Sequence, residues 1–123
     1  MPAIPFSAEV HGDRELATIE LRGDINVAAE AGLAAAYAEA AGLGAAAVLL
    51  DFSGTEYINS TGIALIVRLL ADARRDQRDV RARGLSPHYV AIFEITRLSD
   101  YMHIEADQAT TTAAVAAAGG GQR

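Results

Sequence analysis

The residues with most chemistry to offer sit in one short break, Asn59-Ser60-Thr61-Gly62, between an apolar run that ends at Phe52 and the apolar stretch that resumes at Ile63. A hydroxyl placed between a strand and a helix can serve as an N-cap, a nucleophile or a phosphoacceptor. As an N-cap, Ser60 accepts a hydrogen bond from the amide two or three residues on, and Asn59 and Gly62 are then ordinary turn residues. As a nucleophile it needs an activating base. The order Asn-Ser-Thr-Gly is not the Gly-x-Ser-x-Gly of a hydrolase elbow, and His11, His88 and His103 lie on three separate segments. A Gly-x-x-x-x-Gly-Lys loop for phosphates is missing. The acids Asp24, Asp51 and Glu56 have no spacing that completes a metal site. The expectation is therefore no enzyme, no metal and no cofactor. As a phosphoacceptor, Ser60 would gain about -1.5 to -2 charge at a helix N-terminus, where free amides and the helix dipole stabilise it. A partner presenting acids or apolar surface there would be expelled by repulsion and desolvation, with little motion of the domain. A nucleotide or small-ligand module is a further class that such a helix start admits, but no lysine-bearing loop supports it.

These residues need a scaffold, and the hydropathy pattern supplies one. Ala8 to Val10 and Glu15 to Arg22 read as two strands joined by a turn at His11-Gly12-Asp13, and Ala17, Ile19 and Leu21 alternate with Thr18, Glu20 and Arg22. Gly23 and Asp24 stop the second strand. Asn26 then caps a helix to about Ala41, with Val27, Leu33 and Tyr37 as its bulk and Gly42 and Gly44 as its end. Ala46 to Phe52 is continuously apolar, as a central strand covered on both faces should be. A helix from about Thr61 to Asp76 carries Ile63, Ile66, Val67, Leu70 and Ala73 as a core stripe, opposite Arg68, Asp72 and Arg75. Leu65 falls beside the polar face and Leu69 near its border. Either a second helix covers them, or they join Tyr57 and Ile58 in an apolar docking patch near Ser60. Asp79 to Gly84 reads as an edge strand. Ser86-Pro87 opens a helix with Tyr89, Ile92, Phe93 and Thr96 on one face. His103 to Glu105 is a last short strand, Asp107 caps an alanine-rich helix, and "GGGQR" is a frayed tail.

The 123 residues suit one domain with its own core. With Lys+Arg 10 against Asp+Glu 16, the net charge of -6 argues against broad nucleic-acid or anionic-membrane binding. The densest basic group, Arg74 to Arg83, is threaded with Asp72, Asp76 and Asp79 and reads as a solvated mixed-charge surface. The absence of cysteine excludes disulfides and thiolate chemistry. No signal peptide and no bilayer-spanning apolar run are visible, so a cytoplasmic protein is expected.

At these residues the chain resembles the STAS domain, specifically the small bacterial anti-sigma-factor antagonists. The resemblance is carried by "VLLDFSGTEYINSTGIALIVRLL": an apolar strand, Asp-x-Ser, a short loop, then Ser-(Ser/Thr)-Gly opening a helix. The segments "IELRGDINVAAE" and "VRARGLSPHYVAIFEITRLSDYMHI" support it in order, and the match runs from about Glu15 to Ala117. It implies an α/β fold: one STAS domain over residues 1–118 and a disordered tail over 119–123, with a four- or five-stranded mixed sheet and helices packed mainly on one face. It also implies partner switching without catalysis. The unmodified protein would bind an anti-sigma factor with GHKL-type serine kinase activity and so release a sigma factor. That kinase would phosphorylate Ser60, with Thr61 as backup acceptor, and a phosphatase would reverse the reaction. Asp24, Asn26, Tyr57, Ile58, Asn59, Thr61, Gly62 and Leu65 would form the partner surface. The alternative is a non-phosphorylated STAS scaffold, or an accessory subunit in a stress-signalling or transporter assembly. Two positions depart from the family pattern. The residue before the phosphoserine, usually Asp, is Asn59, and a polar position often occupied by Asp is Asn26; each change removes a negative charge beside the acceptor.

Overall fold

The period-two alternation and the apolar run at Ala47 do build a sheet, seen in a computed structural model that describes residues 4–105. Its strands are β1 (Ser7–Gly12), β2 (Leu16–Arg22), β3 (Ala47–Gly54), β4 (Asp79–Arg83) and β5 (His103–Ile104). They lie in the order β1-β2-β3-β4-β5, with β1 antiparallel to β2 and every other pair parallel. The helices α1 (Glu30–Gly42), α2 (Ser60–Arg75) and α3 (Pro87–Ile95) fall between the parallel strands, with 3-10 turns at Val27–Ala29 and Leu98–Asp100. The mixed five-stranded α/β architecture is the expected one. The terminal helix and tail expected from Asp107 onward, and the domain boundary at 118, lie outside the described residues.

Strand register decides which side chains meet the helices. Ala17 pairs with Val48 and Val48 with Val80; Ile19 pairs with Leu50 and Leu50 with Ala82. All of these sit on one face, in a single core with Leu33, Tyr37, Ile66, Leu70 and Phe93 from the three helices. Each large apolar side chain fully buried there contributes about 1.5–3 kcal/mol. Phe52 and Phe93 meet edge to face at 6.1 Å, which seats α3 on the end of β3. On the opposite face Thr18, Leu49, Arg81 and His103 form one row across the sheet, and among the described residues no helix packs on it.

Four expectations change. Asn26 caps the 3-10 turn rather than α1 directly, and Val27 is 67% exposed instead of core. On α2 the buried positions are Gly62, Ile66, Leu69, Leu70 and Ala73, while Val67 is 44% exposed. The stripe is rotated because α2 must satisfy two neighbours, the sheet beneath and α1 beside it; Leu69 packs in the core, and Leu65 with Leu69 lines the groove shared with Leu33 and Tyr37 of α1. The second helix therefore covers Leu69 and half-covers Leu65. Finally, β4 is not the sheet edge, since His103 and Ile104 pair with Arg81 and Ala82.

Candidate functional site

The site forms where the β2–α1 and β3–α2 connections meet at the C-terminal ends of the parallel strands. Beyond the regular ladder Ile25 and Ile58 make one further parallel bridge. The Ile25 amide donates to Tyr57 O at 3.0 Å and its carbonyl accepts from the Asn59 amide at 3.2 Å. This bridge fixes the loop just ahead of α2. Both isoleucines are buried, so two otherwise exposed connections are held by core side chains.

Asn59 then starts the helix. Its extended backbone and its carboxamide Oδ1, accepting from the Gly62 amide at 2.8 Å, make it the N-cap. Ser60 is consequently the first helical residue and not the cap, which differs from the reading of Ser60 as a helix-starting oxygen. Its side chain is exposed, as is that of Thr61. Gly62 is buried against the other loop: a Cβ there would lie 2.1 Å from the Ile25 carbonyl oxygen. Only the absence of a side chain lets α2 begin this close to Ile25.

The remaining predicted residues divide by exposure. Tyr57 is 54% exposed beside Ser60. Asp24 and Asn26 are half-buried. Asp24 accepts from the Ile4 amide at 3.3 Å, and Asn26 Oδ1 accepts from the Ala28 amide at 2.9 Å. Ile58, expected on the partner surface, is instead 5% exposed, because its bridge to Ile25 turns it into the core. Leu65 is half-buried between α1 and α2, and Gly62 is covered by Ile25. Two surface residues escaped the sequence reading. Val27 reads as core by hydropathy alone, and Val67 by helical spacing. Ser60, Ala64 and Val67 share one exposed line along α2, a line that the correct helix phase would have revealed.

The three histidines lie on other elements. His11 Nε2 lies 2.8 Å from Glu20 Oε2, His88 meets Tyr89 edge to face, and His103 is on β5. Among the described residues no three histidines or carboxylates gather as a metal site. Asp51 belongs to the neighbouring strand end. Burial raises its pKa, but the Ser53 hydroxyl and amide, at 2.6 and 3.0 Å, and Arg83 at 3.1 Å outweigh this and hold the carboxyl below its ordinary value.

The chain belongs to the STAS domain family: the family model described as "Mlab, STAS domain" matches residues 8–105. No curated protein matches by sequence. Among solved structures the fold is similar to the anti-sigma factor antagonist SpoIIAA in its unphosphorylated form, at 16% identity, TM-score 0.64, and coverage of 87% of this chain and 93% of that one. An anti-sigma factor antagonist from Mycobacterium paratuberculosis is similar at 17% identity, TM-score 0.67, and coverage of 89% and 93%. The phosphorylated form of the Bacillus cell fate determinant SpoIIAA is similar at 18% identity, TM-score 0.62, and coverage of 87% and 96%.

Proposed function

We propose that this chain is an anti-sigma-factor antagonist whose grip on its partner is controlled by phosphorylation of Ser60. The observation that carries the reading is the placement of Ser60: an exposed hydroxyl at the first position of a 16-residue helix, on a loop pinned from beneath by Ile25. A phosphoryl group there meets the positive end of the helix dipole without a charged neighbour at position 59. The fold therefore has little reason to yield, and the surface changes instead. Around the hydroxyl, Tyr57, Val27 and the Ala64–Val67 line form an apolar rim suited to a protein partner, which a dianion would expel by desolvation. Asp24, Asn26 and Asn59 shape the loops, and Thr61 is the second accessible hydroxyl. The partner is an anti-sigma factor with serine kinase activity, a phosphatase resets the switch, and the exchange takes place in the cytoplasm.

The test is a kinase reaction and a binding comparison. Unmodified chain incubated with the anti-sigma kinase and ATP is expected to gain one phosphate, mapped to Ser60 by mass spectrometry. Ser60→Ala should bind the partner constitutively, and Ser60→Asp should bind at least about tenfold more weakly, given the cost of desolvating a charge at an apolar contact. Modification elsewhere, or equal affinities of the two variants, would defeat the switch. The second reading, a non-phosphorylated STAS scaffold or accessory subunit, is favoured by Asn26 and Asn59, whose neutral amides complete their caps with no phosphate involved. It predicts unchanged mass in the same reaction and full binding by both variants.

A further inference from the structure

We propose that Tyr89 of α3 is the positioning residue of the Ser60 loop. In a parallel pair, a residue bonds to the carbonyl before and the amide after its opposite number, whose own amide and carbonyl therefore point to the other side. Ile25 takes Tyr57 O and the Asn59 amide, so the amide and carbonyl of Ile58 face away from β2, towards the place a continuing β4 would occupy. But β4 ends at Arg83, and the chain turns through Ser86-Pro87 into α3. The Tyr89 hydroxyl stands in for the missing strand. It accepts from the Ile58 amide at 2.8 Å and donates to the Ile58 carbonyl at 3.3 Å.

A hydroxyl has one donor and two acceptor sites, so this one group satisfies both polar atoms of a buried residue. Tyr89 is itself buried, and its helix is held by the Ser86 cap and by Phe93 on Phe52. Ile58 is thus clamped between Ile25 and Tyr89 one residue before the Asn59 cap. The onset of α2, and with it the direction of Ser60, depends on both sides of that clamp. Nothing in the hydropathy pattern distinguishes Tyr89 from an ordinary core aromatic; only the hydroxyl's partners do.

The functional half of this inference rests on the Ser60 reading, and the structural half does not, so the experiment separates them. Amide hydrogen exchange is measured in the full chain and in Tyr89→Phe. Tyr37→Phe serves as a matched loss of a phenol hydroxyl far from the loop, where Tyr37 donates to Asp76 at 2.8 Å. Faster exchange at Ile58 alone would report only a lost acceptor. The informative amides are Asn59, Gly62 and Ile63, which do not touch Tyr89 and are bonded to Ile25 O, Asn59 Oδ1 and Asn59 O. In Tyr89→Phe they are expected to exchange about tenfold faster, while Val48 and Leu50 keep their protection and Tyr37→Phe leaves the loop unchanged. Unchanged exchange at Asn59, Gly62 and Ile63, or equal acceleration throughout the sheet, overturns the proposal. With the anti-sigma kinase and ATP, Tyr89→Phe should lower kcat for Ser60 about tenfold with a smaller change in KM; a parental kcat overturns the functional half. If the parent chain itself is not modified, the Ser60 reading fails, and the exchange data still decide Tyr89.

Discussion

Gly62 shows how much one side chain, or its absence, decides at the residue scale. Helix propensity favours alanine over glycine by about 1 kcal/mol inside a helix, so Gly62→Ala looks stabilising from sequence. The structure reverses the sign, because the added Cβ would lie 2.1 Å from a backbone oxygen that cannot rotate away. Gly62→Ala is expected to destabilise the chain by about 1–3 kcal/mol in urea unfolding, as overpacking does. Gly42→Ala, at the end of α1 with nothing within 4 Å of the new methyl, should be neutral or stabilising by up to about 1 kcal/mol. Equal effects at the two glycines would refute the close approach. The contrast also marks what was legible in the sequence. The Asn-Ser-Thr-Gly break announced a helix start, but the cap moved from Ser60 to Asn59. Both residues are good caps; the Ile25 bridge, 34 positions upstream of Asn59, settles which of them keeps extended backbone.

At the element scale, α2 links the site to the rest of the fold. It ends in a Schellman arrangement, with the Gln77 amide donating to Arg74 O at 3.1 Å and the Arg78 amide to Ala73 O at 2.8 Å. That closure puts Gln77 at φ +60, a conformation in which a Cβ is crowded. Gln77→Gly should therefore stabilise the chain by about 0.5–1 kcal/mol, read as a higher urea midpoint with unchanged slope; a lower midpoint would show that the strain is not there to relieve. Helix existence was readable because its causes are local: apolar spacing, Ser86-Pro87 opening α3, and glycine at the end of α1. Helix phase was not. Val67 and Leu69 differ by two positions, and only the presence of α1 beside α2 determines which of the pair is buried.

At the scale of the whole molecule, the parallel strand ends gather three connections at one end of the sheet, and Asp51 on β3 adds a pH-dependent contribution there. Asp51 has its folded pKa below the ordinary value, so its ionised form stabilises the fold above the unfolded pKa of about 3.9, and this contribution is lost as pH falls through the lower folded value. Asp51→Asn should consequently lower stability at pH 7, and the gap from the parent chain should shrink as pH drops below about 4. Urea unfolding at a series of pH values measures it, and a gap independent of pH would show that the carboxylate's charge is not what Ser53 and Arg83 stabilise. The sequence by itself determined the strand and helix order, the apolar central strand, the mixed sheet and the location of the hydroxyl at a helix start, because each follows from periodicity and local backbone preference. The tertiary structure alone decided that Ile58 and Leu65 turn inward, that Val27 and Val67 turn outward, and that Tyr89 completes the loop carrying Ser60. These outcomes depend on which distant segment occupies the neighbouring space, and no local pattern in the chain encodes that.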